Sequence, residues 1–254
     1  MNRPAVLVTG GARRIGQAIA IGFADAGWHV VIHCRRSVDE AEVLVSALPS
    51  AEAFACELTD AVATRAMIEG LAERLPDWRA CIASASVFEP DAAAMLDPAV
   101  FDRAMAVNAK AAVNLLQLYL ASASASPGRR AIAITDQKLA SPNPDFFSYT
   151  LSKAALASAV PLLAMGAART EDRVYALAPG AILPSHDQNA EETEVSHRLN
   201  LLGRKTAPSE VADACLFLAS GALASGETLY VDSGQHLLRQ SRDVIYLARE
   251  AGMP

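Results

Sequence analysis

Apolar residues follow two rhythms along this chain. Short continuous runs alternate with longer stretches in which every third or fourth residue is apolar. The first rhythm reads as buried strand and the second as helix. Residues 5–9 (AVLVT) form a run closed by Gly10-Gly11, and six further runs follow at 28–32, 52–55, 79–83, 131–135, 173–177 and 227–231. Between them, residues 15–26 set Ile15, Ala18, Ile19, Gly22 and Phe23 on one helical face, stopped by Gly27. A second helix over 38–48 starts after Ser37 as N-cap and ends at Pro49. Thr59 or Asp60 caps a third that runs to about Leu75. Residues 98–120 make a long helix capped by Asp97, with proline at its first position. Another runs from Asp145 to about Ala168 with Pro161 as a kink, and one spans 208–219 with Ser209 near its cap. The polar, acidic stretch 184–200 reads as a mobile loop holding a helix.

Strands alternating with helices of this length imply βαβ units and a parallel sheet. The strands are spread along all 254 residues, and the turn at Pro127-Gly128 is too brief for a linker. The expected fold is therefore α/β: one domain over residues 1–254, doubly wound, with about seven mainly parallel strands and helices on both faces. Ligands of such sheets bind at the carboxyl ends of the strands.

Composition narrows the classes. Apolar residues make up 52% and charged residues 20%, which excludes a disordered chain. A net charge of −6 argues against nucleic acid as partner. Cys34, Cys56, Cys81 and Cys215 form no CxxC pair, so a disulfide framework or zinc site is not expected. His186, His197 and His236 lack metal-ligand spacing and read as surface residues; no metal is expected. Neither a signal peptide nor an apolar run long enough to span a bilayer is visible, so the expected setting is cytoplasmic, without membrane contact.

The chemistry lies after the strands. Thr9–Gly16 (TGGARRIG) follows the first strand, where a tight glycine turn and a helix N-terminus suit a phosphate. At the end of the second strand, where an NAD site carries an acid for the ribose hydroxyl, stand Arg35, Arg36 and Ser37. Guanidinium groups suit a 2′-phosphate, so the expected cofactor is NADPH. Tyr149-Thr150-Leu151-Ser152-Lys153 puts a phenol and an ammonium on one helix face. The ammonium is expected to lower the tyrosine pKa, typically by ~1–3 units, and make it a proton donor near neutral pH.

These motifs, TGxxxxxG followed about 140 residues later by YxxxK, resemble the short-chain dehydrogenase/reductase family over roughly residues 5–234. The resemblance implies a Rossmann-type fold, commonly tetrameric. It places Tyr149, Lys153 and Asn108 among the catalytic residues. Around the cofactor it places Gly10, Arg14, Ile15, Gly16, Glu57, Leu58, Ser84, Ala85, and the Pro179-Gly180 turn after the sixth strand. Two departures matter. Arg14 replaces a glycine of the fingerprint, and Asp136 stands 13 residues before the tyrosine, where the family has its catalytic serine. A carboxylate donates no hydrogen bond. Arg14, Asp136 and Phe88, with Ser86 in ASVF, are similar to the pteridine reductase and dihydromonapterin reductase subgroup. There the phenylalanine stacks on the pterin, and the aspartate and tyrosine deliver the proton. A third departure, Ala83-Ser84-Ala85 for the usual Asn-Asn-Ala, is expected to loosen positioning at that strand end.

The reading is thus NADPH-dependent reduction of a C=N bond in a dihydropterin or dihydrofolate, with Arg14, Ser86, Phe88, Asp136 and Tyr149 at the substrate. An NADPH carbonyl reductase of the same family is the alternative, and a non-catalytic nucleotide-binding module a weaker one. The tail, residues 235–254, carries an apolar cluster at 244–247 that calls for a partner, for which a neighbouring subunit of a homotetramer is the expected one.

Overall fold

A computed structural model describes residues 3–185 and 187–251; His186 and the two chain ends, 1–2 and 252–254, lie outside the described residues. Seven parallel strands form one sheet in the order β3-β2-β1-β4-β5-β6-β7. They are β1 (Ala5–Thr9), β2 (His29–Cys34), β3 (Ala51–Ala55), β4 (Trp78–Ala83), β5 (Arg130–Ile134), β6 (Arg173–Pro179) and β7 (Thr228–Val231). The chain leaves β3 and crosses to the far side of β1 to start β4. Strand order reverses there, and a crevice opens at the carboxyl ends of β1 and β4.

Helices α1 (Arg14–Asp25), α2 (Val38–Ala47) and α8 (Pro208–Ala219) cover one face, packing Phe23, Leu44 and Leu218 onto Val8, Ile32 and Leu177. Helices α3 (Ala61–Arg74), α5 (Ala112–Ser122) and α6 (Phe147–Gly166) cover the other, with Ile68, Leu115 and Leu156 around Leu7 and Cys81. The two apolar faces explain why the strands read as unbroken hydrophobic runs. All four cysteines are buried and unpaired. No helix among the described residues is long and apolar enough to cross a membrane.

Two expected boundaries move for physical reasons. The long helix after Asp97 is α4 (Pro98–Ala104) and α5 joined by a wider π-helical turn, Met105–Ala111. Asp60 and Asp97 cap as expected, each accepting two backbone N–H groups, whereas Ser37 makes no side-chain cap bond. Helix α6 starts at Phe147 rather than Asp145. Phe146 takes a left-handed conformation (φ 52°) that breaks the helix, and Asp145 turns its carboxylate to the tail instead. The loop at 184–200 contains α7 (Ala190–Ser196), fixed by an Asn189–Glu192 capping box.

The tail ends in a helix that the sequence did not announce, α9 (Val244–Ala251). The chain itself covers part of the apolar cluster at 244–247: Val244 and Ile245 are buried, Ile245 against Phe146 and Tyr149, while Tyr246 and Leu247 stay half-buried.

Candidate active site

The turn after β1 is built for close backbone approach. Gly10 has φ +64°, and a Cβ there would stand 3.1 Å from the Ala85 Cα. A Cβ on Gly16 would lie 2.2 Å from the Gly10 carbonyl oxygen, so only glycine fits where α1 leaves the turn. Arg14, at φ 55°, holds the left-handed position between them. Thr9 closes the crevice floor: its hydroxyl accepts from the N–H groups of Ser84 and Ala85 at 3.0 Å each and donates to the Ile82 carbonyl. The small Ala83-Ser84-Ala85 strand end is therefore held from β1.

His33, at the end of β2, is a residue the sequence reading passed over. It is buried, and its Nδ1 accepts the Gly10 N–H at 3.3 Å. Its Nε2 is 3.0 Å from the Cys56 carbonyl. That partnership requires the neutral ring with its proton on Nε2. Burial lowers the His33 pKa, against the raising effect of the Cys56 bond and the Glu57 charge. The cue was its position, a polar residue in a buried apolar strand just before the basic loop.

Arg35, Arg36 and Ser37 follow at the rim. Arg35 lies 3.5 Å from Glu57. Burial alone would raise the Glu57 carboxyl, but hydrogen bonds from Thr59 and the Arg35 charge hold it below the usual range. Arg36 makes no ion pair among the described residues, leaving its guanidinium open to a ligand.

Beyond the turn, the strand ends border a cleft of about 810 Å³. Every candidate residue named from the sequence lines it, except Asn108. Pro179-Gly180 brings β6 hard against Asp232, since a Cβ on Gly180 would lie 2.7 Å from the Asp232 side chain.

Asn108 does not reach the cleft. It is fully buried, and its amide is consumed by the protein: Oδ1 accepts from Val87 N–H and the Ser86 hydroxyl, Nδ2 donates to the Val87 carbonyl and to Ser152. These bonds make it a clamp between the loop after β4 and α6.

At the centre, the Tyr149 hydroxyl donates to Asp136 Oδ2 at 2.7 Å. Asp136 Oδ1 accepts the Lys138 N–H at 2.8 Å. Burial raises the Asp136 pKa, against the lowering effects of that N–H, the Tyr149 hydroxyl and the charges of Lys153 and Lys138. The expected lowering of the tyrosine is reversed: burial first, then the Asp136 charge and hydrogen bond, push its phenol well above the ordinary value. Lys153 is buried, donates to the Ile134 carbonyl at 2.7 Å, and is brought down by burial to about 8. It acts on the pocket floor, 5.7 Å from the Tyr149 ring centre.

Phe88 forms the aromatic wall. It stacks on Phe146 at 4.1 Å and meets Tyr149 edge-on at 4.7 Å. Phe146 was not foreseen as part of the site. The histidines also differ from expectation. His197 is buried and lines the cleft, and His236 is paired with Asp232 at 2.8 Å.

Comparison with known proteins agrees with this geometry. The family model described as Enoyl-(Acyl carrier protein) reductase matches residues 10–236, and the chain belongs to the short-chain dehydrogenase/reductase family. Its fold is similar to that of FolM alternative dihydrofolate reductase 1 from Brucella canis complexed with NADP. That likeness has a TM-score of 0.86 and 35% identity, over 94% of this chain and 96% of that one. Short-chain dehydrogenase reductase 5 of Arabidopsis thaliana is 32% identical over 247 residues, 92% of this chain and 95% of that protein. A 3-oxoacyl-[acyl-carrier-protein] reductase, FabG, of Aggregatibacter actinomycetemcomitans is 27% identical over 238 residues, 90% and 98% of the two chains. The chain is thus a short-chain oxidoreductase.

Proposed function

We propose that this protein reduces a C=N bond of a pteridine, a dihydropterin or dihydrofolate, with NADPH, in the cytoplasm. The observation that carries the reading is the Asp136–Tyr149 hydrogen bond. A ketone gathers negative charge on its oxygen during reduction and needs neutral donors aimed at it. Asp136 offers an acceptor instead, and it makes Tyr149 a weaker acid. Such a pair suits a ring N–H and delivery of a proton to a more basic ring nitrogen. Phe88 lines the cleft, and with one face covered by Phe146 its ring offers the cleft an aromatic surface for a bicyclic ring. The likeness to a FolM dihydrofolate reductase supports this class.

The residues present fit a phosphorylated dinucleotide. The turn at Gly10 and Gly16 leaves no room for side chains that would block a pyrophosphate, and Arg36 with Ser37 offers charge and hydroxyl to a 2′-phosphate. Bound there, NADPH supplies the hydride. Arg14 is at the mouth between the phosphate turn and the substrate end, and Lys153 offers its ammonium to ribose hydroxyls. Ser86 borders the ring site beside Phe88.

Carbonyl reduction remains the second reading, because the curated relatives include a 3-oxoacyl reductase and an aldehyde reductase. One assay separates the two: initial rates of NADPH oxidation with dihydrobiopterin, dihydromonapterin, dihydrofolate and model ketones. The dihydropterins are expected to react fastest, NADH to serve poorly, and Asp136→Ser to remove most pterin turnover. Phe88→Ala is expected to weaken pterin binding by ~0.5–1.5 kcal/mol for the stack, plus lost burial. A parent enzyme that prefers the ketones, or an Asp136→Ser variant with intact pterin turnover, overturns the pteridine reading.

A further inference from the structure

Lys138 follows the catalytic strand end, on the short turn Gln137–Leu139 after β5. Its backbone N–H fixes Asp136 Oδ1, the oxygen that Tyr149 does not use. Lys138 as a whole is only 3% exposed, in a place where an isolated charge would be costly. Two acceptors hold it there: the Asp145 carbonyl at 2.6 Å and the Asp243 carboxylate at 3.1 Å. The ammonium also stands 5.3 Å over the Phe146 ring.

Asp243 belongs to the C-terminal tail, 105 residues further along the chain. The tail answers with a second pair. Arg242 Nε and the Asp243 N–H both donate to Asp145, at 2.8 Å each. Two cations and two carboxylates thus alternate around the start of α6. Immediately after this clasp, Ile245 packs on Phe146 and Tyr149, and Tyr246 stacks on Phe146 with ring centres 6.0 Å apart. Asp243, Val244 and Ile245 face the cleft itself. At its far end α9 holds the loop after β6, through Arg249 to Asp187 and Glu192.

We propose that Lys138 and Asp243 are positioning residues that make the C-terminal segment part of the active site. Their ion pair joins the tail to the turn that orients Asp136, so that the substrate wall and the proton-handling carboxylate are set together. The inference rests on Asp136 and Tyr149 being the proton-handling pair of the proposed reaction; it does not depend on which substrate is reduced. A stabilising ornament would also bury these charges. The difference is the direct link from Lys138 to Asp136 Oδ1 and the tail residues on the cleft wall.

The test compares Lys138→Met, Asp243→Asn and the double variant in the full-length protein, with whichever substrate the parent reduces best. Each single variant is expected to lower kcat and raise substrate KM, with kcat/KM down at least ten-fold, while NADPH affinity stays within two-fold. Removing one partner strands the other, so the double variant should be no worse than the worse single. Trypsin should cut at Arg239 or Arg242 faster in all three than in the parent. Lys138→Arg, which keeps the charge, should recover part of kcat. Unchanged kcat and KM in Asp243→Asn overturn the proposal, as do losses in the singles that add in the double or that run parallel to lost NADPH binding. Should Lys138→Met fail to fold, Asp243→Asn decides, since it keeps the side-chain shape. Failure of the pteridine reading shows separately, in the parent's substrate preference before any variant is made.

Discussion

A phenol that hydrogen-bonds a buried carboxylate holds its proton more firmly than one beside an ammonium alone, and this sets the expected pH behaviour. Burial holds the Asp136 pKa above the ordinary carboxylate value, so its acid form persists to higher pH. That acid form can replace the proton Tyr149 gives up. Turnover of a dihydropterin should therefore fall as pH rises through the Asp136 pKa, and this limb should vanish in Asp136→Asn along with most activity. The stability sign follows from the same shift. A carboxyl with a raised folded pKa favours the fold below its unfolded pKa, and that advantage is lost as pH rises through the folded value. Asp136→Asn should then melt at a higher temperature than the parent at neutral pH; an equal or lower melting temperature there would contradict the assignment. Lys153 adds a second loss on the alkaline side, in cofactor affinity: its ammonium discharges at about 8, so NADPH binding should weaken above that pH. Tyr149, Lys153 and Asp136 were legible in the sequence because their spacing is local to one strand and one helix. The direction of the tyrosine shift was not, since it depends on which oxygen its hydroxyl meets in space. Lys138 and His33 escaped for the same reason: nothing in a sequence says that a lysine at 138 finds Asp243.

At the scale of elements, the π-helical turn Met105–Ala111 matters most for the site. One wider turn carries Asn108 inward between the loop after β4 and α6. Asn108→Ala would orphan the Val87 N–H and carbonyl and one partner of Ser152. Each unmet buried polar group costs roughly 1–3 kcal/mol. The expected result is a loss of at least that size in chemical denaturation, with Ser86 and Phe88 displaced and substrate KM raised more than NADPH affinity is lost. A variant as stable as the parent would show that the clamp is dispensable. The central strands could be read from the chain because they are buried throughout as unbroken apolar runs, and the main helices because each buries the face its periodicity announces. Elements defined by tertiary contact could not. The break at Phe146 is made by a non-glycine residue at positive φ, with no local sequence cue, and its ring is held by Phe88 and Tyr246. Helix α9 is short, and its apolar residues gain a partner only once α6 and α7 are in place. Glycine positions were legible in part: Gly10 and Gly16 stood in a fingerprint, whereas Ser233 occupies a positive φ (53°) that a sequence assigns to glycine.

At the scale of the molecule, helix α6 presents an exposed apolar side. Leu151, Leu162 and Met165 are 39%, 64% and 76% exposed. Their spacing of eleven and three residues puts them on one side of the helix. That side points away from the sheet, beyond the core layer built by Leu156 and Val160. Edge strand β7 and helix α8 add further exposed apolar residues, Tyr230, whose ring stacks on His236, and Phe217. Two separate exposed apolar areas on one chain suit a dimer of dimers, in which each two-fold axis uses its own patch. A homotetramer is therefore the expected assembly, and the net charge of −6 is small enough not to oppose it. Sedimentation velocity on the parent should give a single tetrameric species at micromolar concentration. Leu162→Glu with Met165→Glu should reduce it to dimers that keep the second interface, and Phe217→Glu should do the same through the other. A parent that sediments as a monomer, or a Leu162/Met165 double variant that stays tetrameric, would show that these patches serve another purpose. Because the clasp and the cleft lie within one chain, the dimers should retain NADPH binding.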